Sequence, residues 1–547
     1  MDQKPEKKPG IIISLVENVW CQTYNRPISS PYFPSDEVVV LAKVLCAGLL
    51  GIDAHLIEVE VDIGRGLPQF SVVGLPDATV RESRDRVRAA LKNTGFSFPP
   101  KKITVNLAPA GIKKEGSGLD LAIALGILVA EGILTQEHVT RFVLVGELSL
   151  DGRIKPVTGA LSIGLLCQRT HSLILPQENA LEAAVIEGAE VYGVSTLPEV
   201  VELINGTFIT SPTTFDTSAI LESSSRIEED FSDVRGQTHA KRALEIAAAG
   251  GHNVLLVGPP GSGKTMLAQR LPGILPPMTQ QEAIETTRVH SVAGTLRNGR
   301  SLITTRPFRA PHHNISEAGL IGGGTIPKPG EVSLAHHGVL FLDEVLEFRR
   351  PVLDSLRQPL EDGIVTVTRV NASLQYPSQF MLVAAMNPCP CGYLGDRTHE
   401  CLCTPHQIHR YRSRLSGPLL DRLDIHLDVP AVPVSDLNGA NQHEPSECIR
   451  QRVTKARAHQ TKRYQEERLL NNAQLRPRQI RKYCAITQDG RKLLEQAVTK
   501  FGLSARAYGR ILRVARTIAD LADSESVELP HLAEAIQYRN LDRSGYS

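Results

Sequence analysis

The sequence predicts an α/β chain of at least two domains that ends in an all-helical segment, and three observations carry this. Strand-like and helix-like runs alternate from Val38 to about Gly206, a Gly-rich turn near Gly258 joins an apolar strand to a helix, and beyond about Pro433 only helical periodicity remains. The 547 residues also exceed the roughly 250–300 at which a single hydrophobic core stops growing.

Residues 1–37 lack a clear period, and Pro27, Pro31 and Pro34 interrupt any helix or central strand, so they read as a loose extension. Over 38–206 the strand-like runs are Ile57–Val61, Phe70–Val73, Ile103–Leu107, Phe142–Val145 and Leu173–Leu175. The helical runs are Ala78–Asn93, Leu119–Gly132 and Gly159–Arg169. Residues 207–229, with Ser223-Ser224-Ser225, read as a linker. A second domain, 230–435, opens with helix Ala240–Ala249, strand Asn253–Val257 and helix Lys264–Leu271, the order of a nucleotide-binding βαβ start. Residues 436–547 offer helices at Glu447–Leu470, Gly490–Lys500, Ala505–Leu521 and Leu529–Arg539, a helical lid.

Hydrophobic residues make up 41% and charged residues 22%, as in ordinary globular protein. Lys+Arg number 60 against Asp+Glu 59, so any nucleic-acid contact must come from local charge and not from the field of the whole molecule. The apolar stretches Val38–Ile52 and Leu119–Leu134 fall short of the roughly 20 residues a bilayer requires, and they contain Lys43, Asp120 and Glu131. No membrane span is expected. The apolar run Ile11–Val16 is cut by Glu17 and Asn18, which argues against a signal peptide. Nine cysteines, four of them between Cys389 and Cys403, do not form a secreted disulfide pattern, so a cytoplasmic protein is expected.

Gly258-Pro259-Pro260-Gly261-Ser262-Gly263-Lys264-Thr265 matches G-x-x-x-x-G-K-[ST] between a strand and a helix. Its glycines free backbone N–H groups to wrap phosphates, Lys264 reaches the β and γ oxygens, and Thr265 ligates Mg²⁺. Downstream, the apolar run Gly338–Leu342 ends in Asp343-Glu344, read as the holder of Mg²⁺ and the polariser of the attacking water. A third apolar run, Met381–Met386, ends at Asn387, whose amide suits the γ-phosphate or the water; a plain Asn-Pro turn is the competing reading.

Four thiols, Cys389, Cys391, Cys401 and Cys403, suit a tetrahedral Zn²⁺ site, although both Cys-x-Cys pairs are tighter than Cys-x₂-Cys; His399 is an alternative ligand. The basic run Arg450, Arg452, Lys455, Arg457, Lys462, Arg463 reads either as a solvated helix face or as a phosphate track.

Asp233-Val234-Arg235-Gly236-Gln237, the phosphate loop, Asp343-Glu344, Asn387 and Ser416-Gly417-Pro418-Leu419-Leu420-Asp421-Arg422 together resemble the magnesium-chelatase-like branch of the AAA+ ATPases, and the ComM (YifB) family within it. The resemblance runs from about Val38 to the C-terminus. It implies a P-loop AAA+ αβα domain with a parallel sheet, a C-terminal helical lid, and an N-terminal Lon-protease-like (ribosomal S5-like) α/β domain. That last likeness rests on Lys114–Asp120 and Gly146–Gly152.

For the site, the resemblance implies ATP with Mg²⁺ at the phosphate loop and at Gly236 and Gln237. Asn387 takes the sensor-1 position, Arg422 the arginine finger given to a neighbouring subunit, and Arg506 the sensor-2 position, with Arg510 as the fallback. Without the family, Arg422 reads as an ion-pair partner of Asp421 or Asp424. The resemblance further implies a homo-hexamer acting on single-stranded or branched DNA, a helicase or branch-migration factor in natural transformation. Its pore devices fall near Gly322–Gly330, with Lys328, and near Val365–Tyr376, with Arg369. A chelatase-type remodeller and an ATP-dependent protease are the alternatives; the protease lacks its dyad, because the serine position falls on Gly118 and the lysine position on Ser162, with Ser117 one residue away.

Overall fold

A computed structural model describes residues 41–539, apart from 115, 209, 218–228, 297–300, 325–326, 370–371, 397–398, 432–443 and 468. The expected N-terminal extension lies outside the described residues.

The first sheet contains β1 (Ala42–Leu50), β2 (Asp53–Gly64), β3 (Gln69–Val73), β4 (Lys102–Ala108), β5 (Phe142–Leu144), β8 (Ser172–Pro176) and β9 (Val191–Val194), while β6 (Glu147–Leu148) and β7 (Ile154–Lys155) form a separate small hairpin. Its order is β3-β4-β2-β1-β5-β8-β9. β1 and β2 are antiparallel, and the period of two fixes their faces: Ile57, Val59 and Val61 are buried, while Lys43 bridges Glu58 at 2.9 Å and Glu60 at 3.0 Å on the other side. The apolar stretch Val38–Ile52 thus supplies a central strand. The other, Leu119–Leu134, holds the helix Asp120–Ala130, which is buried on all sides; Arg86 meets its one charge, Asp120, at 2.6 and 3.0 Å.

The stretch read as a linker is ordered where it is described: Thr213 N–H donates to the Val191 carbonyl at 2.7 Å, and Phe215 packs on the first core. Two bonded runs cross to the second domain, through its helix Gln280–Ala293. Arg288 donates to the Ile52 carbonyl at 3.1 Å, to Asp53 at 2.7 Å and to Ser162 Oγ at 3.4 Å, and Ser291 donates to Glu182. Leu161, Val185 and Ile186 pack there against Met278, Ala283 and Leu302.

The second sheet takes β10 (Val254–Val257), β11 (Phe308–Arg309), β14 (Val339–Leu342), β17 (Met381–Met386) and β18 (Ile425–Asp428), in the order β11-β14-β17-β10-β18 and all parallel. Its three inner strands read VLFL, MLVAAM and VLLV and are buried throughout, as a sheet covered on both faces requires. Two antiparallel hairpins interrupt the sequence of strands: β12 (Gly322–Gly323) with β13 (Lys328–Pro329), and β15 (Ile364–Arg369) with β16 (Ala372–Pro377). These fall where the two pore devices were expected.

The C-terminal helices are Ser446–Arg463, Pro477–Tyr483, Gln488–Phe501, Ala505–Leu521 and Leu529–Gln537. The first is shorter than the expected Glu447–Leu470, giving way to a 3₁₀ turn at Gln465–Glu467. They share one core with the second domain, in which Phe231, Val254 and Ile425 meet Ile511, Val514, Ala515 and Tyr538. Five of the six basic residues of the run are engaged within the protein. Arg450 pairs with Glu447, Arg452 with Glu245 and Glu444, Lys455 with Asp523 and Arg463 with Asp520, and Arg457 donates to the Ala248 and Ala249 carbonyls. Among the described residues no helix is long and apolar enough to cross a membrane.

Candidate nucleotide site

The turn Gly258–Thr265 leaves the C-terminal end of β10 and enters the helix Lys264–Arg270. Gly258 is obligatory, since a Cβ there would lie 2.1 Å from the Val429 carbonyl oxygen. Gly261 and Gly263 sit at φ +74° and +88°, in the left-handed region, with nothing within 4 Å of a built Cβ. Ser262 Oγ is buried without a hydrogen-bond partner. Lys264 Nζ donates to the carbonyls of Gly258 at 2.8 Å and Pro259 at 2.9 Å and lies 3.3 Å from Asn387 Oδ1. Burial lowers the pKa of this ammonium, while Asp343 and Glu344 act in the opposite direction.

Asp343 and Glu344 follow β14, which is separated from β10 by β17, the strand that ends at Asn387. Thr265 Oγ1 donates to Asp343 Oδ2 at 2.7 Å, putting a hydroxyl and a carboxylate where a hard cation takes oxygen ligands. Glu344 adopts φ +49°, and its side chain is 59% exposed, open to a water. Gly236 and Gln237 are also left-handed, and Gln237 Nε2 bonds the Pro430 carbonyl at 2.7 Å and the Ser262 carbonyl at 3.4 Å. The arrangement therefore gathers Gly236, Gln237, the whole phosphate loop, Asp343, Glu344 and Asn387 at one end of the parallel sheet. One neighbour was missed: His313, whose Nδ1 lies 3.9 Å from Glu344 Oε2, on the segment after β11. Its signal is the pair His312-His313, whose rings are tilted with centroids 4.1 Å apart, just beyond the strand that neighbours β14.

Arg422, Arg506 and Arg510 lie at the other end. Asn253, immediately before β10, holds the Arg422 carbonyl at 3.0 Å through its amide. The four residues of β10 put roughly 13 Å between the two ends, at about 3.3 Å per residue. Arg422 pairs with Glu361 and donates to the Pro418 carbonyl at 2.5 Å, so neither Asp421 nor Asp424 is its partner. Asp421 instead holds Arg506 at 3.1 Å, and Asp424 holds Arg510 at 3.1 Å. Arg506 is 69% exposed, whereas Arg510 is buried. Burial lowers the pKa of the Arg422 guanidinium; Glu361 opposes this, and the adjacent Arg510, Arg506 and Arg357 add to it.

The four cysteines converge. Cys389 Sγ is 3.3 Å from Cys391 Sγ and 3.6 Å from Cys401 Sγ, Cys391 and Cys401 are 3.6 Å apart, and with Cys403 all four lie within 4.8 Å of one another. Thiolates about 2.3 Å from a tetrahedral Zn²⁺ are about 3.8 Å apart, so the donor set fits that ion. The Tyr393 backbone N–H, then Cys389, pull the Cys391 thiol pKa down. The His399 ring lies tilted against Tyr393, with centroids 4.7 Å apart, and is not part of the thiol cluster.

In the N-terminal domain, Ser162 Oγ donates to the Ile52 carbonyl at 2.7 Å, Ser117 donates to Glu147, and Lys114 Nζ donates to the Pro109 carbonyl. Among the described residues no hydrogen bond joins Ser117 to Lys114.

Three family models match the chain. "Magnesium chelatase, subunit ChlI" covers 230–437, "Subunit ChlI of Mg-chelatase" covers 59–179, and "Magnesium chelatase, subunit ChlI C-terminal" covers 443–539. Competence protein ComM of Haemophilus influenzae is 47% identical over 507 residues, 92% of this chain and 98% of that protein. Protein YifB of Salmonella typhimurium is 45% identical over 92% of this chain and 98% of its own length. The magnesium-chelatase 67 kDa subunit of Heliobacterium mobile is 28% identical over 30% of this chain and 29% of that subunit. With a parallel α/β core, three matching family models and full-length relatives at this identity, the chain belongs to the ComM/YifB family of magnesium-chelatase-like AAA+ proteins.

Proposed function

We propose that the protein is a cytoplasmic ATPase that assembles with copies of itself into a hexameric ring and works on single-stranded or branched DNA as a helicase or branch-migration factor. The observation that carries the reading is the split between the two ends of one sheet. Lys264, Thr265, Asp343, Glu344 and Asn387 gather at one end, while Arg422 and Arg506 lie at the other. A ring that sets one subunit's arginines against the next subunit's triphosphate completes the site, and a lone subunit leaves the transition-state charge unmet.

In this reading, backbone N–H groups of Gly258–Thr265 wrap the phosphates of ATP, and Lys264 reaches its β and γ oxygens. Thr265 and Asp343 hold Mg²⁺, Glu344 polarises the water, Asn387 bonds the γ-phosphate, and Gly236 and Gln237 flank the nucleotide. Arg422 is the finger; Arg506, the more exposed candidate, is preferred to Arg510 as the lid arginine. Cys389, Cys391, Cys401 and Cys403 hold a structural Zn²⁺. The N-terminal domain is a Lon-protease-like domain without the dyad.

DNA contact is assigned to the two hairpins. Tyr376 of β16 donates to the Pro327 carbonyl beside β13 at 2.8 Å, coupling them, and Lys328 of β13 is exposed. The side chain of Arg369 lies outside the described residues. The name of the Haemophilus relative, a competence protein, supports a role in DNA transformation. The descriptions of the three family models favour a second reading, a chelatase-type ATPase that remodels a partner complex.

The test is the ATPase rate with and without single-stranded and forked DNA at two salt concentrations, together with strand displacement. The motor reading requires stimulation that weakens as salt rises, and displacement of the strand. Turnover without either leaves the chelatase-type reading.

A further inference from the structure

We propose that the cysteine loop is a metal-dependent clamp on the phosphate turn, so that losing its Zn²⁺ weakens nucleotide binding although no cysteine touches the nucleotide. This rests on the nucleotide and zinc readings above.

The loop needs a fastener. Between Met386 and Pro405 the described residues include no helix or strand, a long connection for a segment that packs against a site. Among the described residues its internal backbone-to-backbone bonds are Gly392 N–H to the Cys389 carbonyl and Asp396 N–H to the Tyr393 carbonyl, both at 3.0 Å, while the N–H groups of Tyr393 and Cys403 turn to the Cys391 and Cys401 sulfurs. A polar loop held this sparsely does not order itself, whereas four thiolates on one cation fix it at four points. Cys389 is fully buried and the other three cysteines are half-buried, so the cluster is anchored in the domain through Cys389.

The loop also has something to hold. Gly392, at φ +86°, brings its backbone against the phosphate turn; a Cβ there would lie 2.6 Å from Pro260 Cδ and 2.9 Å from Pro260 Cγ. Cys389 comes two residues after Asn387, whose Oδ1 is 3.3 Å from Lys264 Nζ. Arg412 then ties the loop's two ends together, its Nε donating to the Pro388 carbonyl at 3.0 Å from the helix Pro405–Arg412, which Thr404 caps through a capping box with Gln407. A cation at the thiols thus supports Pro260 from beneath and fixes the point from which Asn387 projects. Without it, the turn must be ordered by the nucleotide itself, and affinity falls.

The experiment uses the full-length chain: metal content by mass spectrometry, affinity for a fluorescent ATP analogue, and circular dichroism, measured before and after chelation and after Zn²⁺ is returned. About one zinc per chain is expected. Chelation and Cys401→Ser should each weaken binding by about tenfold or more, reversibly for chelation, with the helical signal retained. Gly392→Val separates clamp from fold, because it keeps all four thiols yet drives a side chain into Pro260; it should keep its zinc and lose affinity. Zinc-free native protein, or affinity unchanged when zinc is removed from protein that stays folded, overturns the clamp, as does unchanged affinity in zinc-loaded Gly392→Val. Should chelation unfold the chain, Gly392→Val alone decides. Zinc-loaded protein that binds no nucleotide at all overturns the nucleotide reading instead, and the clamp with it.

Discussion

The two ends of the parallel sheet are furnished in opposite ways. At the C-terminal end the functional groups are held loosely: Ser262 Oγ has no partner, Lys264 rests on backbone carbonyls, and Glu344 is mostly exposed. At the N-terminal end ion pairs dominate, although the Nε atoms of Arg422, Arg510 and Arg513 are buried without a partner. Arg422 pairs with Glu361 and Arg506 with Asp421; Asp424 is shared by Arg510 at 3.1 Å and His252 at 3.2 Å, while the other nitrogen of His252 meets Thr517 at 2.8 Å. The difference separates reception from presentation. In the proposed ring, groups that bind the triphosphate are kept available, whereas cations shown to a neighbour are held in shape by carboxylates that a stronger anion can displace.

The largest effect that would sharpen this contrast is at Arg422. Arg422→Ala should reduce ATP turnover by roughly 10³–10⁵ while nucleotide affinity is retained. Mixing that variant with Lys264→Ala protein should recover part of the rate, since each supplies the half the other lacks. Normal turnover by Arg422→Ala alone would break the contrast. Next, Glu344→Gln should bind ATP and hydrolyse it about 10²–10⁴-fold more slowly, as read in single-turnover assays. Unimpaired hydrolysis would move the catalytic acid elsewhere.

The third prediction concerns the matched end as structure. Burial opposes ionisation of Asp424, but His252, Arg513 and Arg510 outweigh it and hold its carboxyl well below the usual carboxylate range. Asp424→Asn, which leaves buried cations unpaired, should cost about 3–5 kcal/mol in urea unfolding. Because the folded pKa is depressed, the Asp424 contribution is fully present above the unfolded value of about 3.9 and is lost only as pH falls below it. Stability should therefore be flat on its account across neutral pH.

The smallest effect is at the boundary with the N-terminal domain, where burial pushes the Glu182 carboxyl up against the pull of Ser291, the Leu161 N–H and Asn179. A raised folded pKa means its contribution is complete below the unfolded value of about 4.3 and shrinks as pH rises through the folded one. Glu182→Gln should remove that slope and change stability near neutrality by about 1 kcal/mol, measurable as melting temperature against pH.

Much of this was legible in the residues. The phosphate loop could be read because glycines, lysine and threonine at fixed spacing sit between a buried strand and a helix, and Asp343-Glu344 because an apolar run delivers them. The helix Ala505–Leu521 matched its expected bounds because its apolar stripe is strong. What escaped depended on distant partners. Arg452 and Arg457 looked like surface charge because Glu245 and the Ala248 carbonyl are about two hundred residues away in sequence. The location of Arg506 follows from how the C-terminal helices dock on His252 and Asp424, through Thr517 and Arg510, which no local pattern encodes. The seven-residue helix Pro477–Tyr483 is too short for a period to stand out, although Pro477 marks its start.

One contact bears on how such a chain can change. The Ser162 hydroxyl, which the Lon-like resemblance sets at its lysine position, accepts from the guanidinium of Arg288 at 3.4 Å. A lysine placed there would set two cations against each other across a domain boundary, so that substitution would loosen the N-terminal domain from the parallel-sheet domain. The seam that joins the two halves thus limits which side chains residue 162 can carry.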